Sequence, residues 1–243
     1  ALYSSFHIGG PAEHFVEVKT AEDAREALKY AQTHQLTTFF LGAGSNVLFP
    51  DEGLSGLVIR SNINFIEQSE YTLKVGSGVY TTTLAQYCLE KALSGIEALF
   101  GLPGTIGGAI RGNAGSLGTE IKDVLENVTF INEINELETW PTEKLLFNYR
   151  ESYIKTHPRF ITHCQIRLHP GTTENIQQKM TETKKWRKEK QPGGFTAGSF
   201  FKNPPNTSAG YLIDNAGLKG TTIGGAQVST LHGNFFVNTG KAT

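Results

Sequence analysis

Disulfide chemistry has almost no material here: cysteine occurs twice in 243 residues. Cys88 and Cys164 stand alone, each inside an apolar pattern, so the expectation is two buried thiols in a reducing compartment. An excess of charge is missing too. Lys and Arg number 22 against 23 Asp and Glu, a formal net charge of −1, so no global basic field recruits nucleic acid or a membrane surface. No apolar run approaches the roughly 20 residues of a membrane span, and the first residues lack the basic-then-apolar pattern of a secretion signal. The expectation is a cytoplasmic, monomeric protein; the opening on Ala1 points to an initiator segment trimmed away or lying outside this sequence. Histidines 7, 14, 34, 157, 163 and 169 have no metal-ligand spacing and read as structural, so no metal is expected. The single charge run, Lys184 to Lys190, reads as the solvated face of a helix.

Glycine, by contrast, is concentrated. Seven of the 27 glycines lie between Gly101 and Gly118. Each costs roughly 0.5–1 kcal/mol against alanine inside a helix or strand, so this stretch reads as sharply turning backbone laid close against something. Thr105, Asn113 and Ser116 are interleaved, and no acidic side chain intervenes before Glu120. Backbone N–H groups in such turns form an anion-binding nest. The competing reading is a long surface turn.

Around this stretch the periodicities predict a mixed α+β chain. Strands are expected at 15–18, 37–41, 57–60, 71–75, 160–168 and 234–238, with a hairpin over 127–140 turning near Asn135. Helices are expected at 20–35, capped by Thr20, at 82–92, at 173–190 and at 208–216, the last stopped by Gly217. Gln191 to Gly194 is a candidate hinge. Boundaries near 62 and 170 divide the chain into segments 1–62, 63–170 and 171–243.

A second glycine turn, Gly42-Ala-Gly-Ser-Asn-Val47, follows a strand. Val47 stands where a dinucleotide fingerprint needs glycine, and Pro50 to Gly53 prevents the long helix that would follow. No Gly-Lys-Ser/Thr completes a Walker loop. What remains is a strand-end turn that can cradle a phosphate with its N–H groups, Ser45 and Asn46. Two such turns about 60 residues apart can hold a diphosphate from both sides, as a bound dinucleotide requires.

Residues 41–48 (Leu-Gly-Ala-Gly-Ser-Asn-Val-Leu) and 101–115 (Gly-Leu-Pro-Gly-Thr-Ile-Gly-Gly-Ala-Ile-Arg-Gly-Asn-Ala-Gly) closely resemble the flavin-binding loops of the UDP-N-acetylenolpyruvoylglucosamine reductase (MurB) family. The resemblance continues through 5–12, Phe147 to Ser152, Ala197 to Pro204 and Gly217 to Val228, and so covers nearly the whole chain in order. It implies the FAD-binding α+β fold of the vanillyl-alcohol oxidase/PCMH type. Residues 1–62 and 63–170 would be its two subdomains, and 171–243 a smaller α+β substrate-binding domain. The lack of an inserted substrate-covering segment matches the compact type.

By resemblance the cofactor is FAD, the reductant NADPH and the partner UDP-N-acetylglucosamine enolpyruvate. Flavin-binding positions carried over are Gly42, Ala43, Gly44, Ser45, Asn46 and Val47 from the first turn. From the second come Pro103, Gly104, Thr105, Gly107, Gly108, Asn113, Ala114 and Gly115. Arg150 matches a catalytic arginine and Ser199 the proton donor, while Tyr149, Lys202, Asn203 and His232 fall near substrate-contacting positions. Physical chemistry suits both catalytic roles. Hydride addition to an enolpyruvyl group builds charge beside a carboxylate, which a guanidinium fork fits, and the resulting carbanion is basic enough to take a proton from a positioned hydroxyl. Without the resemblance Arg150 would read as pairing with Glu143 or Glu151, and Ser199 as a turn cap.

The family's third catalytic residue is a glutamate near the C-terminus, and no glutamate here matches it. Either a segment follows Thr243 or full activity is lacking. Omission of a C-terminal segment is favoured, because ending here is expected to leave Phe235-Phe236-Val237 poorly covered. Two other functions stay in view: another flavin oxidoreductase on the same fold, and a flavin- or nucleotide-binding module without turnover.

Overall fold

Alternating apolar residues at 160–168 and 72–76 form adjacent strands within the largest sheet. The computed structural model describes residues 1–243, which fall into two units. One comprises Glu13–Gly42 and Ser55–Lys184, the other Ala1–Ala12, Ala43–Leu54 and Lys185–Thr243. Both units are discontinuous in sequence, each assembled from separate stretches of the chain.

The larger unit opens with strand β1 (Ala12–Val18), helix α1 (Ala21–Thr33), β2 (Thr38–Leu41) and β3 (Leu54–Ser61), which form a sheet in the order β1-β3-β2 with β2 parallel to β3. Then come β4 (Ile66–Ser69), β5 (Thr72–Gly76), α2 (Thr81–Glu90), β6 (Leu93–Ser94) and α3 (Ile106–Arg111). A short ribbon, β7 (Gly115–Ser116) and β8 (Thr119–Glu120), precedes the hairpin of β9 (Leu125–Ile131) and β10 (Leu137–Pro141). The unit ends with α4 (Tyr153–Thr156), β11 (Phe160–Arg167), β12 (His169–Pro170) and most of α5 (Thr173–Lys190). Five strands make one antiparallel sheet in the order β10-β9-β11-β5-β4.

Local chemistry accounts for these elements. Thr20 and Asp23 close a reciprocal capping box on α1, worth about 1 kcal/mol, and Ala24, Ala27 and Ala31 turn one stripe inward. The β9–β10 turn places Asn135 in the left-handed region at φ 63°, which asparagine tolerates. Leu84, Ala85, Cys88 and Leu89 of α2 meet Leu73, Val75, Cys164 and Ile166 from the sheet in one core, which also buries Ile106, Ala109 and Ile110 of α3.

That last contact corrects the expectation that 101–118 is all irregular turn. Ile106–Arg111 is helical because Thr105 caps it and three apolar side chains on one face are buried. Burial there outweighs the propensity cost of Gly107 and Gly108. β4, a half-exposed edge strand with one partly buried apolar residue, Ile66, has too little alternation to be read from sequence.

In the smaller unit Ser208 caps α6 (Ala209–Asn215), stopped at Gly217 with φ 69°. β13 (Thr222–Ile223), β14 (Ala226–Val228) and β15 (Phe236–Asn238) form an antiparallel sheet in that order. Phe235 is buried, and Phe236 packs with Phe6, Ile8 and Ala197 and against the rings of Phe200 and Phe201. Residues 235–237 are thus better covered than expected, and their exposure supplies no argument for a further segment.

Burial pushes both thiols up to about 12, with Glu97 adding to the effect at Cys88. At pH 8 the thiolate fraction is then about one in ten thousand. A chromogenic disulfide reagent at pH 8 is expected to label neither cysteine in the native protein and both after unfolding in guanidinium. Native labelling at the rate of a free thiol would contradict the packing around them.

Candidate functional site

Thr105 is the pivot of the glycine stretch. Its hydroxyl accepts the Gly108 N–H at 3.4 Å, and a side chain on Gly42 would run into the same hydroxyl. The root of the first glycine turn and the cap of α3 are therefore in contact, and only glycine fits at 42. The next N–H groups of α3 are spent internally: Ile106 donates to Val79 O and Gly107 to Ser77 O, both at 2.9 Å. Those two first-turn donors are therefore closed to an anion. The backbone donors left without an acceptor lie just before the helix, at Gly104 and Thr105.

Neighbouring glycines differ in what surrounds them. A Cβ on Gly107 would sit 3.0 Å from Ser77 Cβ and 3.2 Å from Ser77 O, so this glycine serves helix–sheet packing. A Cβ on exposed Gly108 would meet only Thr105 Oγ1 at 3.6 Å, and one on Gly112 only Gly108 O at 3.7 Å. This face of α3 is bare backbone open to a ligand.

Asn113 follows α3 in the left-handed region, φ 43°, and is fully buried. Its Nδ2 donates to Glu120 Oε2 at 2.9 Å and to Asn148 O at 3.0 Å. Both partners only accept, so the amide orientation is settled. Its Oδ1 is buried with no partner, and such an orphan acceptor is costly unless a donor arrives. Bare glycine backbone, free N–H groups and an orphan acceptor together fit a flavin dinucleotide, with a diphosphate for the donors and N–H and hydroxyl groups for the acceptor.

Arg150 sits in the two-residue turn of a hairpin closed by Asn148 and Glu151, which exchange N–H···O bonds at 3.1 Å. Its φ is 56°, a conformation that costs a non-glycine residue roughly 1–2 kcal/mol. Lys155 Nζ donates to the Arg150 carbonyl at 2.8 Å, and the Tyr149 ring lies 5.1 Å from the guanidinium carbon. Nη1 donates to Asn113 O at 3.2 Å and Glu120 Oε1 at 3.4 Å, and Nη2 to Gly115 O at 2.8 Å. Arginine has five N–H donors; Nε–H and one Nη2–H remain. The partner is Glu120, neither of the two glutamates expected from sequence. Gly115 is held to glycine here, since a Cβ would lie 2.7 Å from Glu120 Cγ and 3.2 Å from Arg150 Nη1. Thr105, Gly107, Gly108, Asn113, Gly115 and Arg150 are thus linked through α3 and the β7–β8 ribbon, with Ala114 partly buried against the same core and Pro103 and Gly104 leading into the helix.

In the smaller unit the turn 43–47 packs on the N-terminal segment. Gly44 has φ 65°, leaves no room for a side chain beside Tyr3 O, and accepts the Ser5 N–H at 3.0 Å. Asn46 is exposed, with Ser45 and Val47 half-buried. Ser199 follows Gly198, at φ 79°, and pairs with Phe235 in an isolated antiparallel bridge. Its exposed hydroxyl has no acceptor or donor within the chain. Buried Asn234 braces this segment, its side chain accepting from Phe201 N at 2.9 Å and donating to Phe201 O at 2.8 Å.

Asn203 Oδ1 accepts the Ala209 N–H at the start of α6, 3.1 Å away, which leaves its Nδ2 donors free. His232 Nδ1 accepts the Asn234 N–H at 3.1 Å, so the ring proton sits on Nε2. Burial first, then the Lys219 charge, lowers the His232 pKa against a backbone hydrogen bond that raises it. Lys202 and Tyr149 are exposed. No group of three His, Cys, Asp or Glu could hold a metal ion, and no helix is long and apolar enough to cross a membrane.

Sequence reasoning missed Glu120. It lies 30 residues from Arg150, and no spacing rule joins them.

Family models and known relatives match most of the chain. The family described as "FAD binding domain" matches residues 12–138, and the one described as "UDP-N-acetylenolpyruvoylglucosamine reductase, C-terminal domain" matches 190–243. The UDP-N-acetylenolpyruvoylglucosamine reductase of Chlamydia felis is 38% identical over 99% of this chain and 81% of its own length. That of Caldanaerobacter subterraneus is 37% identical over 99% and 80%. Among solved structures, the reductase of Thermus caldophilus superposes with a TM-score of 0.88 at 38% identity, covering 99% of this chain and 86% of that one. The 6-hydroxy-D-nicotine oxidase of Arthrobacter nicotinovorans, at TM-score 0.55 and 17% identity over 69% of this chain and 38% of its own, shares the fold alone. On relatives matched over four fifths of their length, this chain belongs to the UDP-N-acetylenolpyruvoylglucosamine reductase family.

Proposed function

We infer that the chain reduces the enolpyruvyl group of UDP-N-acetylglucosamine enolpyruvate, yielding UDP-N-acetylmuramate for peptidoglycan synthesis. It is an FAD-dependent oxidoreductase, with NADPH the reductant of its family. When bound, FAD would supply the hydride chemistry that links NADPH to the enolpyruvyl group. The observation that carries the reading is Arg150: a residue in the left-handed backbone region whose guanidinium has one carboxylate and two carbonyl partners and two donors still open, beside Asn113 with its orphan acceptor.

The chain's own residues divide the work. Gly104 and Thr105 offer N–H groups to the cofactor diphosphate, together with the turn from Gly42 to Val47. Gly108 and Gly112 let the cofactor lie against backbone, and Asn113 Oδ1 accepts one of its donors. Arg150 supplies its open donors to the substrate carboxylate, where charge accumulates as the hydride adds. Ser199 gives its hydroxyl proton to the carbanion carbon, and the resulting alkoxide regains a proton from solvent. Lys202, Asn203 Nδ2 and His232 Nε2 provide donors to the substrate diphosphate, with Tyr149 beside the reacting group. Residues 171–243 contribute the substrate-binding part, and the enzyme works as a cytoplasmic monomer.

A spectroscopic titration tests this. The purified protein is expected to be yellow, to bleach with NADPH under nitrogen, and to regain colour on addition of the enolpyruvyl substrate. Recolouring by oxygen alone would assign it as an oxidase. A yellow protein that NADPH cannot bleach would make it a binding module.

A further inference from the structure

We infer that Glu120 is a positioning residue for Arg150, setting both the guanidinium and the Asn113 amide through one carboxylate. The inference rests on the reading of Arg150 given above. Glu120 stands at the end of the β7–β8 ribbon, and its side chain is about three-quarters buried. Oε1 accepts from Arg150 Nη1 at 3.4 Å, and Oε2 accepts from Asn113 Nδ2 at 2.9 Å and faces Lys122 Nζ at 3.3 Å. Its backbone is pinned as well, with its N–H on Asp123 Oδ2 at 2.7 Å.

This arrangement requires two acceptor oxygens. A carboxylate accepts on both sides, whereas an amide of the same shape accepts on one and donates on the other. In Glu120→Gln the new NH₂ must face either Arg150 Nη1 or Asn113 Nδ2, both of which are donors. One of them has to move. Asn113 Nδ2 is also held by Asn148 O at 3.0 Å, so the longer contact gives way and Arg150 loses the partner that fixes its rotation. Lys122 Nζ, 3.3 Å from Oε2, offsets part of the carboxylate's single negative charge, so the carboxylate orients Arg150 while its own field on an anionic substrate is reduced.

The test follows Glu120→Gln, Arg150→Ala and the double variant as FAD-loaded proteins. The readouts are flavin reduction by NADPH, reoxidation by substrate, the dissociation constant of substrate for the oxidised protein from the flavin absorbance change, and the thermal midpoint. Glu120→Gln is expected to slow the substrate half-reaction about 10- to 100-fold and weaken substrate binding at least fivefold. NADPH reduction should stay within about threefold, since Glu120 acts there through no reacting group. Added to Arg150→Ala, it should change the substrate half-reaction by less than about twofold. Glu120→Asp, which retains both acceptors, should recover most of the rate.

If Arg150→Ala slows the substrate step but Glu120→Gln does not, the positioning role is wrong and the Arg150 reading stands. If Arg150→Ala is itself without effect, the reading beneath fails and takes this inference with it. Equal losses from Glu120→Gln in both backgrounds, or a lowered midpoint that Glu120→Asp shares, would make Glu120 a structural residue only.

Discussion

Ser199→Ala is expected to leave reduction by NADPH within about twofold of wild type while slowing reoxidation by the enolpyruvyl substrate by about 10²–10⁴-fold, the usual worth of a positioned general acid. The hydroxyl it removes is exposed and makes no hydrogen bond within the chain, so no fold contact is lost and the thermal midpoint should stay put. Position is supplied by the backbone instead: left-handed Gly198, the bridge to Phe235, and Asn234 gripping Phe201 on both sides. A serine hydroxyl is a weak acid, so it suits only a strongly basic acceptor, and a carbon beside a carboxylate is such a base. Stopped-flow absorbance of the flavin separates the two half-reactions directly. Equal loss in both would contradict the proton-donor role and point to a general effect on the cofactor. Solvent deuterium should slow the wild-type substrate step and leave the NADPH step nearly unchanged.

The parts legible in the sequence were those written in short-range chemistry. The Thr20 cap, the β11 alternation, the hairpin turn at Asn135 and the Gly217 stop each depend on residues within a few positions of one another. Arg150 and the glycine stretch stood out through their motifs. What stayed hidden depends on partners far apart. Helix α3 forms despite its glycines because Ile106, Ala109 and Ile110 find a core built from β5, β11 and α2, which no local window contains. Glu120 pairs with Arg150 only once the β7–β8 ribbon and the Asn148–Glu151 hairpin are folded. Within the glycine stretch the open N–H groups narrow to Gly104 and Thr105 because Val79 and Ser77 take those of Ile106 and Gly107. In the last two instances tertiary hydrogen bonding, which no local window contains, decides which groups are tied up and which stay open.

Two adjacent glycines offer the sharpest separation of fold from cofactor binding. Gly108→Val is expected to give a folded protein with weakened flavin binding. Its Cβ would meet only Thr105 Oγ1, at ordinary contact distance, and valine in place of glycine inside a helix is no penalty in propensity. The added methyl groups stand on the bare face of α3 where the flavin must approach backbone. Overpacking of this kind costs about 1–3 kcal/mol, which corresponds to roughly 5- to 150-fold in affinity at 1.4 kcal/mol per decade. Gly107→Val makes the opposite prediction. Its Cβ would press on Ser77 Cβ and Ser77 O at 3.0 and 3.2 Å, between α3 and the residue that follows β5, so the fold itself should lose stability by about 1–3 kcal/mol. Thermal midpoints of the flavin-free proteins, compared with FAD titrations followed by fluorescence quenching, resolve the pair. Gly108→Val should match the wild-type midpoint and bind FAD about 5- to 150-fold more weakly, while Gly107→Val should melt early whether or not FAD is present. A Gly108→Val protein that binds FAD with wild-type affinity would remove α3 from the flavin site, because a ligand lying against that backbone must meet the side chain.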